Sequence, residues 1–299
     1  MGERQQIPIF GLGELQRSPF VSTVDRVNCV AEMTDNGRQQ AAIFGLPGLV
    51  AVFNSINQIP FRAFYIREGE EVAYGIQGNQ FVSATIEGGI TLIATLNTQE
   101  GPAWIADSGD ELLVNEGSSP GILNTSTGVY TEITDADYPT GALGGAFLKG
   151  RFFVWTPTPN LPDPTIAGRV YASDPFEGLA WDGLNFFTPE SLPDGIGDVV
   201  RWKGDLVVFG QTGIEFWAAG NINIPGQLGY QPIAGVSTEV GLAAIKGWAA
   251  AGQQLFFLGR MRGQASVFEL RGYQPVQVSP PKLDADWATL VSRAGAICT

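Results

Sequence analysis

The side chains here whose type and spacing could do chemistry are acids gathered at turns. Asp107, Asp110 and Glu111 stand together in ADSGDEL, and Asp135 and Asp137 in TDADYP. Asp174, Glu177 and Asp182 sit among aromatics in YASDPFEGLAWDGL. Paired carboxylates can hold calcium or act as the acid and base of a glycoside hydrolase, and aromatic rings beside them could stack on sugars. The alternating Asp, central Gly and terminal Glu of a calcium loop are missing. Acids at turns are ordinarily turn formers, and strand aromatics ordinarily fill cores. GALGGAFLKG (141–150) is glycine-rich but lacks the Lys-Ser/Thr ending of a phosphate loop and leads into a strand pattern. There is no histidine, which removes Ser-His-Asp and Cys-His nucleophiles, His-based zinc sites and the commonest general base. The expectation is a non-enzyme with no catalytic, cofactor-binding or metal-ligating residues.

The elements that would carry these acids are strands. GDVVRWKGDLVVFGQTGIEFWAAG (197–220) reads as an antiparallel meander, with β-branched and aromatic runs broken by Gly-containing turns. Its central phrase, small polar residues and Gly followed by an apolar run, returns along the chain. REGEEVAYG, DSGDELLVN, LKGRFFVW, WKGDLVVFG and AAGQQLFFLG align on Gly69, Gly109, Gly150, Gly204 and Gly252, spaced 40, 41, 54 and 48 residues apart. A tight hairpin needs positive φ, which glycine adopts at little cost, and the apolar run after it suits a strand buried on both faces. Weaker strand patterns follow each run, among them QFVSATI, ITLIATL, GILNTST, VYTEIT, RVYASD, IEFW, SVFEL and QPVQVS. Three to four strands per repeat of this length is the spacing of a β-propeller blade. A β-sandwich, the fallback, would show turns without the longer period.

The totals agree. Hydrophobic residues make up 44% of the 299 and charged residues 16%, with 39 Gly and 19 Pro: enough to build a core, rich in turns and poor in charge. Cys29 and Cys298 could pair only if the fold brought the ends together, and two cysteines make no disulfide framework. The N-terminus lacks a signal-peptide pattern and no run approaches a membrane span, so a soluble chain made in a reducing cytoplasm is expected. Net charge is −13, unevenly spread. Between Arg67 and Lys149 there is no Lys or Arg, but there are twelve acids: Glu68, Glu70, Glu71, Glu87, Glu100, Asp107, Asp110, Glu111, Glu116, Glu132, Asp135 and Asp137. Such a stretch solubilises, meets a basic partner or repels a polyanion; phosphate-gripping DNA binding needs the opposite charge.

The expected organisation is an all-β chain: an extended, irregular arm over 1–40, β-propeller blades of four strands over 41–280, and a short helix with the start of a further strand over 281–299. AAIFGLPGLVAVF (41–53) is the first strand region, with a turn or edge at its Leu-Pro-Gly-Leu centre. TPTPNLPDPTIAG (156–168), with four prolines, accounts for the longest spacing and reads as an exposed loop. KLDADWATLVSRAG (282–295) has helical spacing, and AICT (296–299) reads as the opening of a strand, so the propeller would be completed by a longer chain or by another element.

The middle of the chain resembles the packaged-DNA stabilisation proteins of short-tailed bacteriophages, components of the tail hub or nozzle. The resemblance lies in SLPDGIGDVVRWKGDLVVFGQTGIEFWAAG (191–220), preceded by LKGRFFVW and RVYASDP, with an earlier echo in VNCVAE (27–32) and GLPGL (45–49). It spans residues 28 to about 272. It implies a virion structural protein, assembled in the host cytoplasm, that forms a six-fold ring below the portal and its adaptor. That ring would retain packaged DNA, form the channel for its ejection and seat the needle or distal tail proteins. Double-stranded DNA would pass without sequence-specific binding; no cofactor and no membrane are implied. The competing readings are a carbohydrate-binding or glycoside-acting propeller, which needs two acids facing each other at its centre, and a cellular interaction scaffold.

Overall fold

The computed structural model describes residues 29–33, 41–45, 59–67, 69–85, 87–156, 168–192, 195–219, 229–261, 263–281, 283–284 and 287. Strands β1 (Cys29–Met33) and β2 (Ala41–Gly45) pair antiparallel in a sheet of their own. The arm expected over 1–40 thus contains a strand. Five further sheets follow in chain order, and each is a blade.

Blade 1 is β3 (Phe61–Ile66), β4 (Val72–Gln77), β5 (Gln80–Thr85) and β6 (Ile90–Thr95). Blade 2 is β7 (Trp104–Asp107), β8 (Glu111–Asn115), β9 (Gly121–Asn124) and β10 (Val129–Glu132). Blade 3 is β11 (Gly144–Leu148), β12 (Arg151–Thr156), β13 (Arg169–Asp174) and β14 (Glu177–Phe187). Blade 4 is β15 (Ile196–Trp202), β16 (Asp205–Gly210), β17 (Ile214–Ala219) and β18 (Tyr230–Thr238). In blade 5, β19 (Gly241–Leu242) and β20 (Trp248–Ala251) both pair with β21 (Gln254–Met261), so its first strand is interrupted; β22 (Gln264–Arg271) and β23 (Gln274–Gln277) complete it. All pairings are antiparallel, and all but that of β19 with β21 join sequence neighbours. The first strands β3, β7, β11 and β15 contact one another in succession, which puts them innermost in the ring. The all-β propeller expected from the repeat is the observed fold. The C-terminal helix expected over 281–299 is not borne out as an element: only residues 281, 283, 284 and 287, in helical conformation, fall within the described residues.

The five repeat glycines all lie in the turn between the first and second strand of a blade, and all have positive φ. Gly204 shows why. Lys203 (φ 49°) and Gly204 (φ 92°) are both left-handed, the type I′ geometry whose twist matches that of the flanking strands. A Cβ on Gly204 would meet nothing within 4 Å, so the demand is conformational rather than steric. Gly204→Ala is therefore expected to cost about 1–2 kcal/mol, read as a lower urea midpoint with an unchanged m-value.

The run after each turn is buried on both faces because a blade lies on each side. In β16, Leu206 and Val208 pack toward blade 3, while Val207 and Phe209 pack toward blade 5. In β12, Phe152 and Val154 face blade 2 and Phe153 and Trp155 face blade 4. In β8, Leu112 and Val114 face blade 1 and Leu113 faces blade 3. The core is accordingly a series of four apolar layers, one between each successive pair of blades.

Candidate functional site

Three features stand out: the axis, an acidic sector, and a basic groove on the far side. At the axis, Asp198 of β15 is buried, at 3% exposure. The Trp155 indole from blade 3 donates to its Oδ1 at 2.8 Å, and the Trp248 indole from blade 5 donates to its Oδ2 at 2.6 Å. The Val199 amide donates to Oδ1 at 2.8 Å. Burial pushes the carboxyl above its ordinary range, against the pull of these donors and of the Lys246 ammonium. Lys246, in the interruption between β19 and β20, is itself held low by burial and supported by Asp198. Its Nζ reaches the Ala103 carbonyl, just before β7, at 3.0 Å. One carboxylate thus fastens blades 3, 4 and 5, and the lysine beside it carries the link to blade 2. A glycosidase would need a second acid opposite the first; the polar partners of Asp198 are indoles and a lysine instead.

The turn acids singled out by sequence are mostly turn and strut groups. Asp107 accepts two bonds from the Arg67 guanidinium, at 3.0 Å each, one from the Tyr65 hydroxyl at 2.8 Å and one from the Gly109 amide at 2.7 Å. Burial alone would raise this carboxyl, but the Arg67, Gly109 and Tyr65 donors hold it below its ordinary range. A depressed carboxyl adds stability that is present above its unfolded value and is lost as pH falls through its folded value. Asp107→Asn is expected to cost about 1–3 kcal/mol at neutral pH and to flatten the acid limb of a stability-versus-pH curve. Equal slopes in both chains would show that the strut contributes nothing.

Asp135 accepts the amides of Asp137 and Trp181, and Asp182 accepts the amide of Leu184, so both order backbone. Asp174 contacts the Asn185 side chain at 3.5 Å. Asp110, Glu111 and Glu177 line a groove of about 350 Å³ between blades 2 and 3, walled by Phe147, Phe152 and Phe176. Burial, then Glu177 and Asp110, raise the Glu111 carboxyl. Among the described residues no group of three acids and cysteines is placed to hold a metal. The 141–150 stretch forms the lead into β11, that strand and its turn, not a phosphate loop. The sequence reading finds no nucleophile elbow, yet one Gly-x-Ser-x-Gly spacing does occur, Gly117–Gly121. It joins β8 to β9, strand to strand rather than strand to helix. Ser119 there is buried; its hydroxyl accepts from Asn97 and its amide donates to Glu116, so it is a packing group.

The acidic interval coincides with blades 1 and 2, a contiguous sector of the ring. Within it, Asp107 is neutralised by Arg67. Glu116 is enclosed by Thr98 and the Ser119 amide, beside the Arg62 guanidinium, which also donates to the carbonyls of Gly78, Thr98, Glu100 and Gly101. Glu70, Glu71, Glu87, Glu100, Asp110, Glu132 and Asp137 remain exposed, at both ends of the propeller. Beyond it, between blades 4 and 5, Arg201 and Lys203 border a groove of about 440 Å³ completed by Trp202, Gln253 and Gln254. The Lys203 ammonium lies 4.4 Å from the Trp202 ring. Sequence showed the acidic interval; the groove was hidden because its two halves, 201–203 and 250–255, meet only when two blades stack. The proline-rich stretch joins β12 to β13, and its residues 157–167 lie outside the described residues.

No curated protein matches the chain. Among solved structures it is similar to one from a nidogen/laminin complex (TM-score 0.48, 12% identity, 85% of this chain and 90% of that one). It is also similar to the tricorn protease (0.43, 14%, 74% and 22%) and to the extracellular domain of the two-component system BT4673 from B. thetaiotaomicron (0.48, 10%, 77% and 29%). Identities this low carry no function across. The family comparison is different in extent: residues 5–294 match the model described as bacteriophage P22 Gp10, beta-propeller, and the chain belongs to that family.

Proposed function

We propose that this chain is a ring-forming tail component of a short-tailed phage virion, a hub or nozzle below the portal and adaptor. It retains packaged DNA and lines the channel through which that DNA is ejected. The reading rests on family membership and, above all, on one observation: blades 1 and 2 carry twelve acids and no Lys or Arg from 68 to 148. A wall of that sign lets a polyanion slide, because there is no phosphate-neutralising cation to release counterions against. The basic groove between blades 4 and 5 gives the molecule two unlike sides. Unlike sides suit a head-to-tail interface, which closes into a ring when the rotation per subunit divides the circle. A six-fold ring, assembled in the host cytoplasm and contacting adaptor above and needle or distal tail proteins below, completes the proposal.

The test is duplex DNA retention by the assembled protein at low salt. The native chain is expected to let DNA elute freely, and a chain with Glu70, Glu71 and Asp110 changed to Lys to retain it with steep salt dependence. Strong retention by the native chain would overturn the sliding-wall reading.

A further inference from the structure

The chain has seven tryptophans, and their indoles are not alike. Those of Trp104, Trp155, Trp181, Trp217 and Trp248 each donate to a carbonyl or a carboxylate of the protein. The Trp202 indole does not. Trp202 is 7% exposed, its Nε1 is buried, and no acceptor reaches that nitrogen among the described residues. A buried donor left alone is costly, and native structures leave few without a reason such as a bound ion. The other groups of this kind, Thr156 Oγ1, Arg169 Nε and Trp287 Nε1, stand at the edges of segments outside the described residues. Trp202 instead sits in a fully described hairpin, β15 to β16.

Trp202 also lines the groove of about 440 Å³ between blades 4 and 5, and no Asp or Glu lines it. Arg201 and Lys203 are both exposed there, and neither has an ion-pair partner among the described residues. The Lys203 ammonium rests 4.4 Å from the centroid of the Trp202 ring, at a π face rather than against a carboxylate. Glu269, the acid whose field it feels, is already taken: its carboxylate accepts from Arg271 at 2.8 Å and from Gln254 at 3.0 Å. Asp205, in the same hairpin, accepts the Tyr273 hydroxyl at 2.9 Å. Gln253 adds an exposed carboxamide to the groove wall. Two uncompensated cations, a carboxamide and an indole N–H without an acceptor thus meet at one place.

We propose that this groove is a binding site for one phosphate group carried by a small molecule. A phosphate monoester at neutral pH carries about two negative charges and three strong acceptor oxygens. That matches Arg201 and Lys203 in charge and the N–H groups beside them in number of acceptors. The planar Arg201 guanidinium can hold two of those oxygens at once. A carboxylate brings one charge and two oxygens and leaves donors unused. Duplex DNA is gripped by many cations spread along its backbone, and this groove has two. The volume suits a small ligand that carries the phosphate. The inference does not depend on the tail reading.

Tryptophan labelled with a heavy nitrogen isotope gives one indole resonance per ring, and Trp202→Phe identifies that of Trp202. The full chain is titrated with inorganic phosphate at an ionic strength held constant with sodium chloride. The Trp202 resonance is expected to move saturably, as an N–H gains an acceptor. Arg201→Gln and Lys203→Gln change exposed positions, and thermal melts check that each variant folds. Each is expected to raise the midpoint of the titration about tenfold. A Trp202 resonance that phosphate leaves in place, one that acetate moves equally, or a midpoint unchanged in both variants would overturn the proposal. A duplex oligonucleotide that moves the same resonance at a lower phosphate concentration would overturn it in favour of the DNA backbone.

Discussion

Replacing Asp198 with alanine is expected to cost about 3–5 kcal/mol, the range for removing one partner from a buried charged network. Three donors, the buried Trp155 indole, the half-buried Trp248 indole and the Val199 amide, lose their acceptor, and each buried donor left alone costs about 1–3 kcal/mol. Lys246 loses the charge that offsets its own burial. Asp198→Asn keeps one acceptor but turns an N–H₂ toward another donor, so it should fall between native and alanine chains. The pH dependence separates charge from shape. The folded chain holds the Asp198 proton more tightly than the unfolded one, because burial raises this carboxyl. Between the unfolded and folded values stability therefore falls as pH rises, then levels off. That slope is opposite in sign to the Asp107 contribution, and it should vanish in Asp198→Asn. Urea titrations from acid to neutral pH would show it; an alanine variant within about 1 kcal/mol of native would mean that the axis is not held here.

Phe209→Ala should be as costly, about 3–5 kcal/mol. The ring is fully buried in the layer between blades 4 and 5, 5.1 Å from the Phe257 ring and beside Phe216, Leu242 and Leu255. Sheets on both sides hold the cavity open, so little of it can collapse. An exposed aromatic such as Phe176, at 86% exposure, should by contrast lose little stability on truncation. Differential scanning calorimetry of the two variants side by side tests whether the apolar layers or the outer turns carry the fold. Equal melting shifts would contradict the layered core.

Much of this architecture was legible in the chain. The glycine at each first turn is forced by backbone geometry, and the run after it by burial on two faces; both are local demands that leave a fixed phrase in the sequence. Strands held by long-range pairing leave weaker marks. Glu177–Phe187, read as a possible sugar platform, is a bulged outer strand of blade 3, and Tyr230–Thr238 carries no turn phrase of its own. The Asp198 knot was invisible because its partners stand 43 and 50 positions away and meet only at the axis. The acidic sector was visible as a run, but its division between struts such as Asp107 and exposed surface such as Glu71 required the Arg67 contacts, which hold Asp107 and Glu70.

A cryo-electron reconstruction of the phage tail with this chain in place tests most directly the proposed ring of these propellers around a DNA channel. The expected result is six copies in a ring below the adaptor, with the acidic sector of blades 1 and 2 facing either the lumen or the basic groove of the neighbouring copy. A ring with residues 68–148 wholly on the outer surface, away from the channel and from any basic neighbour, or a chain outside the tail altogether, would contradict it.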